Sequence, residues 1–202
     1  MISILAWAPS PTSRWKLMCP RNKEAEGRFL LVVGGSASGK SQFAETLAVS
    51  APGKRYYIAT MEPFGKEAQW RIARHRLLRE NKGFETVERF RELGSLVLPQ
   101  RGTALLECVT NLLANEIFSP EGAGEQGAVE AILQGIASLR RQCHLLVAVS
   151  GEVGLEPLSQ YAPETRRYMG LLGKINREMA KQADEVWEVT CGVPICHKGG
   201  TR

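Results

Sequence analysis

Gly34-Gly35-Ser36-Ala37-Ser38-Gly39-Lys40-Ser41 matches the pattern GxxxxGK[ST], and it stands between the apolar run Phe29-Leu30-Leu31-Val32-Val33 and an amphipathic stretch beginning at Ser41. Strand, glycine-rich loop and helix in that order form the setting in which the pattern binds phosphate. The glycines let the loop curl until successive N–H groups point inward at phosphate oxygens, and the helix N-terminus adds the positive end of its dipole. On this reading Gly34, Gly35, Ser36, Ala37, Ser38, Gly39, Lys40 and Ser41 cradle a nucleoside triphosphate. Lys40 reaches the β- and γ-phosphates, and Ser41 offers its hydroxyl to Mg²⁺.

Outward from the loop, short β-rich runs alternate with longer helical patterns. Strands are expected at 29–33, 56–60, 84–87, 104–107, 144–149 and 185–190. Helices are expected at 41–50, 66–79, 109–118, 128–141 and 164–182, and residues 122–127 read as a loop. Such alternation implies an α/β protein, a mostly parallel sheet flanked by helices. The first helix should bury Phe43, Ala44, Leu47 and Ala48. Residues 29–202 read as one P-loop domain, and 1–28 as a flexible extension or the product of a start codon placed too far upstream.

With 44% hydrophobic and 23% charged residues the chain falls in the ordinary globular range. Of its net charge of +5, residues 1–28 carry +3, from Arg14, Lys16, Arg21, Lys23 and Arg28 against Glu24 and Glu26. The rest of the chain lacks the basic stripe that nucleic-acid binding needs, so no nucleic-acid partner is expected. The longest apolar run, Leu145-Leu146-Val147-Ala148-Val149, is far too short to span a bilayer. The N-terminus has no positive charge ahead of its apolar residues, which argues against a signal peptide. Five cysteines, Cys19, Cys108, Cys143, Cys191 and Cys196, show no CxxC pairing and suit a reduced, cytoplasmic chain. Cys191, Cys196 and His197 lack the close pairs and fourth ligand of a zinc site and read as packing residues.

A P-loop enzyme needs a carboxylate at the end of another strand to hold the magnesium ion. The chain has one Asp, Asp184, which precedes a strand, so the carboxylate must be a Glu. Glu107, following Ala104-Leu105-Leu106, fits best, and Glu152 comes second. His75 lies in Arg71-Ile72-Ala73-Arg74-His75-Arg76-Leu77-Leu78-Arg79, where Arg71, Ile72, Leu78 and Arg79 share its helical face. This segment reads either as a solvated basic helix or as a nucleophile whose ring stays neutral beside cations that also hold a triphosphate. His144 and His197 read as structural, and Trp70 and Trp187 as core or helix-packing residues. No GxSxG or Asp-supported triad points to a hydrolase.

Several segments together resemble the bifunctional adenosylcobinamide kinase/adenosylcobinamide-phosphate guanylyltransferase family of cobalamin biosynthesis. They are the P-loop, Tyr57-Ile58-Ala59-Thr60, Arg71-Ile72-Ala73-Arg74-His75-Arg76, Leu105-Leu106-Glu107-Cys108-Val109-Thr110 with Asn115, Glu152-Val153-Gly154, Ala183-Asp184-Glu185-Val186-Trp187 and Gly192-Val193-Pro194. The resemblance implies a RecA-like sheet, often in a trimer. It also implies two reactions: phosphorylation of the aminopropanol hydroxyl of adenosylcobinamide with ATP or GTP, then GMP transfer from GTP through a guanylylated His75. Nucleotide contacts carried over by position are the P-loop, Ala59, Thr60, Met61, Arg76, Leu77, Leu78, Arg79, Glu88 and Glu107, with Ser41 and Glu107 at Mg²⁺. Many members have Arg where this chain has Ala37, Asn where it has Gly151, and Arg-Asp where it has Met169-Gly170. These departures keep two other readings open: a P-loop small-molecule kinase without guanylyl transfer, and a nucleotide-binding protein without turnover.

Overall fold

Leu30 and Val32 face one way along the first strand and Phe29 and Leu31 the other, and all four are buried. A strand apolar on both faces belongs in the middle of a sheet covered on both sides. The computed structural model describes residues 26–152 and 158–200, and there β1 (Arg28–Val33) lies inside a seven-stranded sheet of order β3-β2-β4-β5-β1-β6-β7. The others are β2 (Arg55–Ala59), β3 (Phe84–Glu88), β4 (Gly102–Glu107), β5 (Cys143–Val149), β6 (Glu185–Thr190) and β7 (Val193–Lys198). β1 to β6 run parallel, and β7 is antiparallel to β6. Most of the proposed N-terminal extension, with Cys19, and Val153 and Gly154 of one family-like segment lie outside the described residues.

The α-helices among the described residues are α1 (Lys40–Ser50), α2 (Gly65–Arg79), α3 (Val109–Phe118), α4 (Gly124–Gln142) and α5 (Pro163–Gln182). On one face of the sheet Phe29, Leu31, Ile58 and Leu106 pack with Leu112, Ile132 and Ile136 of α3 and α4 and with Leu172 and Ile175 of α5. On the other, Leu30, Val32, Tyr57, Leu105 and Val147 pack with Ala44 and Ala48 of α1, and Phe43 and Leu47 sit at the edge of that cluster. Each fully buried Leu or Ile contributes about 1.5–3 kcal/mol of transfer free energy.

Three expectations need correction. Residues 124–127, read as loop, form the first turn of α4. Gly124 adopts a φ of +70° there, which its missing side chain allows, and the helix runs on despite the low propensity of its glycines. Beyond 190 the chain turns back as β7, a strand the sequence reading did not include. Its Pro194 is tolerated because β7 is the sheet's edge. Trp70 is not a packing residue: it is 64% exposed, with the Arg74 guanidinium 5.8 Å above its ring. The cause is the way α2 packs. Only the stripe Ala68, Ile72, His75 and Arg79 is withdrawn from solvent, and Trp70 is on the outside. Trp187 does pack, 5.3 Å from Phe43 between ring centroids. No described helix is long and apolar enough to cross a membrane.

Candidate active site

The P-loop joins β1 to α1 at the C-terminal edge of the sheet, where crevices of open α/β sheets bind ligands. Gly34 meets the neighbouring strand closely: a Cβ there would lie 2.5 Å from the Val189 carbonyl oxygen and 2.7 Å from Ser38 Oγ. Gly39, at φ +92°, turns the chain into α1. The loop is also braced from outside. The Gly192 N–H, in the β6–β7 turn, donates to Ser38 O at 2.9 Å, and the Glu152 N–H donates to Gly34 O at 3.1 Å. Lys40 Nζ donates to Gly35 O at 2.8 Å, inside its own loop. Ser36 and Ala37 are exposed at the loop's crest, and Ala37 carries a φ of +55°.

Glu107 ends β4, two strands from β1, and Ser41 Oγ donates to its Oε1 at 2.7 Å. The two oxygen ligands expected at Mg²⁺ are therefore already together, and they suit a hard cation. Glu107 Oε2 is buried without a partner. Burial pushes the Glu107 carboxyl up to about 7, against the pull of the Ser41 hydrogen bond and the Lys40 charge.

His75 comes to this edge from α2. Its Nδ1 is buried and makes no hydrogen bond. Burial lowers its pKa first, and the charges of Arg79, Arg74, Arg71 and Lys40 lower it further. Arg79, the one buried residue of α2, lies flat over Tyr57, its guanidinium carbon 3.4 Å from the ring centroid, and its Nη1 has no partner. Unsatisfied buried polar atoms are uncommon and call for an explanation. Among the described residues, Ser38 Oγ, His75 Nδ1, Arg79 Nη1 and Glu107 Oε2 belong to residues that sequence reasoning assigned to the nucleotide, and Arg55 Nε, Tyr56 Oη and Thr103 Oγ1, which are also unpartnered, do not.

Of the other nucleotide candidates, Thr60 is buried. Its Oγ1 accepts from the Cys108 N–H at 2.7 Å and donates to Cys108 O at 2.8 Å, tying the segment Ala59, Thr60 and Met61 to the end of β4. Arg76 Nη2 donates to Glu88 Oε1 at 2.8 Å, and both side chains are exposed. Leu77 and Leu78 are exposed at 69% and 51%. Glu152 reaches the loop through its backbone. Away from the site, His197 Nε2 lies 2.7 Å from Glu188 Oε2. Sequence reasoning missed two contributions. Tyr57 forms the platform under Arg79, and Gly192 is the brace on Ser38. The glycine after Cys191, between two β-type runs, was the available signal for the brace.

A family model described as cobinamide kinase / cobinamide phosphate guanyltransferase matches residues 30–196. The chain belongs to that family. Among curated members, it is 34% identical to the bifunctional adenosylcobalamin biosynthesis protein CobU of Escherichia coli (strain K12), over 83% of this chain and 98% of that protein. It is 30% identical to CobP of Pseudomonas aeruginosa, over 84% of this chain and 96% of that protein. A solved protein of Pyrococcus horikoshii OT3 superposes with a TM-score of 0.50 at 8% identity, covering 87% of this chain and 88% of that one, a likeness of fold alone. The match spans the whole nucleotide loop of this cobinamide kinase/guanyltransferase homologue, Gly34, Gly39, Lys40 and Ser41 included.

Proposed function

We infer that this protein is a bifunctional adenosylcobinamide kinase and adenosylcobinamide-phosphate guanylyltransferase with both half-reactions at the C-terminal edge of its sheet. In the first, the acceptor's hydroxyl oxygen bonds to the γ-phosphorus of ATP or GTP, the bond to the β,γ-bridging oxygen breaks, and the hydroxyl proton leaves to solvent. The P-loop amides and Lys40 hold the β- and γ-phosphates in line. Mg²⁺ would be held by Ser41 and Glu107 and would supply neutralisation of phosphate charge. In the second, a neutral ring nitrogen of His75 attacks the α-phosphorus of GTP and pyrophosphate leaves. The acceptor's phosphate oxygen then displaces His75 and carries away the GMP. Storing the activated nucleotide on the protein splits one difficult transfer into two easier ones.

The observation that carries the guanylyl step is the His75 imidazole: half-buried, with Nδ1 out of solvent and unpartnered, and flanked by cations that disfavour its protonation. Arg79, stacked on Tyr57 with a free Nη1, is placed to pair with phosphate. The test is incubation with radiolabelled GTP and Mg²⁺, followed by mass spectrometry of the protein. An acid-labile GMP adduct is expected on the parent and not on His75→Ala. Equal labelling of both removes His75 from the reaction. Corrinoid phosphorylation with no GDP-linked product would instead select the kinase-only reading.

A further inference from the structure

A concavity of about 440 Å³ opens between the chain leaving β2 and the outer face of α3. Met61 and Phe64 form one wall, and Asn111, Ala114, Phe118 and Ser119 the other. Two of its aromatic rings lie open to solvent, Phe64 at 90% and Phe118 at 65% exposure. None of α3's lining residues is assigned a part in nucleotide binding.

We propose that this groove is the acceptor site, seating the hydroxyl-bearing arm and the adjacent edge of the corrinoid beside the γ-phosphate. The proposal rests on the function inferred above. Position is the first argument. Ser41 and Glu107 mark the magnesium end of the triphosphate, and an in-line kinase must bring its hydroxyl there. The groove begins at that end: Met61 follows Thr60, Asn111 lies three residues beyond Cys108, and Thr60 and Cys108 are joined by their paired hydrogen bonds. Arg79 stacks on Tyr57, whose ring packs with the α1 cluster, so α2 and His75 sit on the α1 face. α3 covers the opposite face. Acceptor and nucleophile thus flank the nucleotide from opposite sides.

Rigidity is the second argument, because a site that fixes a large acceptor has to be formed beforehand. Asn115 Nδ2 donates to Thr60 O at 2.8 Å and to Phe90 O at 3.0 Å, so its amide is committed to the floor. Arg91 bridges Glu62 at 2.6 Å and Glu121 at 2.7 Å across the far rim. Glu116 accepts from the Glu92 N–H at 2.8 Å and the Ala123 N–H at 3.0 Å. Asn111 is left as the lining carboxamide for a ligand. Chemistry is the third argument. Exposed aromatic and aliphatic side chains beside a carboxamide and a hydroxyl suit an apolar macrocycle edged with primary amides.

Two reactions separate the proposal from the reading beneath it, since self-labelling with GTP needs no acceptor and phosphorylation of adenosylcobinamide does. Ala114→Trp fills the groove and should raise the acceptor KM at least about tenfold, the loss of roughly 1.4 kcal/mol of binding, with the GTP KM and the label on His75 unchanged. Phe118→Ser, at a surface position, should raise the acceptor KM about threefold or more. An unchanged acceptor KM in a labelling-competent Ala114→Trp overturns the groove. If Ala114→Trp also loses its label, Phe118→Ser decides: an unchanged KM there has the same force. Should either variant instead dissociate an oligomer, and diluted parent protein show the same KM shift, the groove is a contact between copies and the proposal fails. A parent that labels but phosphorylates no corrinoid sinks the inferred kinase function instead.

Discussion

An imidazole kept neutral by burial and four neighbouring cations titrates below the usual histidine range. In an NMR titration of the ligand-free protein, the His75 ring signals should move at lower pH than those of a histidine in the unfolded chain. A His75 midpoint at or above the ordinary histidine value of about 6.5 would refute the electrostatic account. Glu107 responds in the opposite sense. Its folded-state value of about 7 stands above the ordinary 4.5, so burial disfavours the ionised form. In metal-free protein this costs nothing at acid pH, grows as pH rises from the unfolded value, and is fully present above the folded one. Glu107→Gln should therefore melt with the parent near the lower end of that window. It should melt higher above pH about 7, by up to about 3 kcal/mol, while losing magnesium-dependent nucleotide affinity. Gly34→Ala should lose GTP affinity by more than about tenfold, because its Cβ has no room beside the Val189 carbonyl. Isothermal calorimetry would measure both affinities.

At the scale of elements, α2 is the outlier. Among its residues only Arg79 is buried, while α3 and α4 bury four and six. Its amides should exchange with deuterium at least about tenfold faster than those of α4, and GTP should slow them by engaging Arg79 and His75. Leu77→Ala and Leu78→Ala should change stability by less than about 0.5 kcal/mol, against about 2–5 kcal/mol for Ile132→Ala in α4. Denaturant unfolding would check the three. The same contrast explains what the sequence disclosed. β1, the P-loop and α1 were legible because apolar run, glycine pattern and helical periodicity agree. Arg71 to Arg79 were legible as a helix but not as to which residues face inward, since arginine can be buried over an aromatic ring or left in water. Trp70 was misplaced for that reason.

At the scale of the molecule, strand order escaped sequence reading altogether, because parallel pairing is set by crossovers between distant segments. Yet that order puts Glu107 two strands from the P-loop and the β6–β7 turn directly against it. The hairpin lies at the end of the described chain and still reaches the phosphate loop. Removing residues 193–202 should lower thermal stability, by baring the edge of β6, and GTP affinity, by freeing the brace on Ser38. A truncated protein with undiminished affinity would show that the brace is idle.

The bond from Lys40 to its own loop has a further consequence for selectivity. One of the three Lys40 N–H groups is given to Gly35 O, so the ammonium is held inside its own loop, and breaking that bond offsets part of what a simple anion would gain. A ligand gains only by replacing that carbonyl and engaging the rest of the loop at the same time. Inorganic phosphate offers too short a chain of oxygens to do both, so the resting enzyme should ignore it at concentrations where a tethered polyphosphate already saturates.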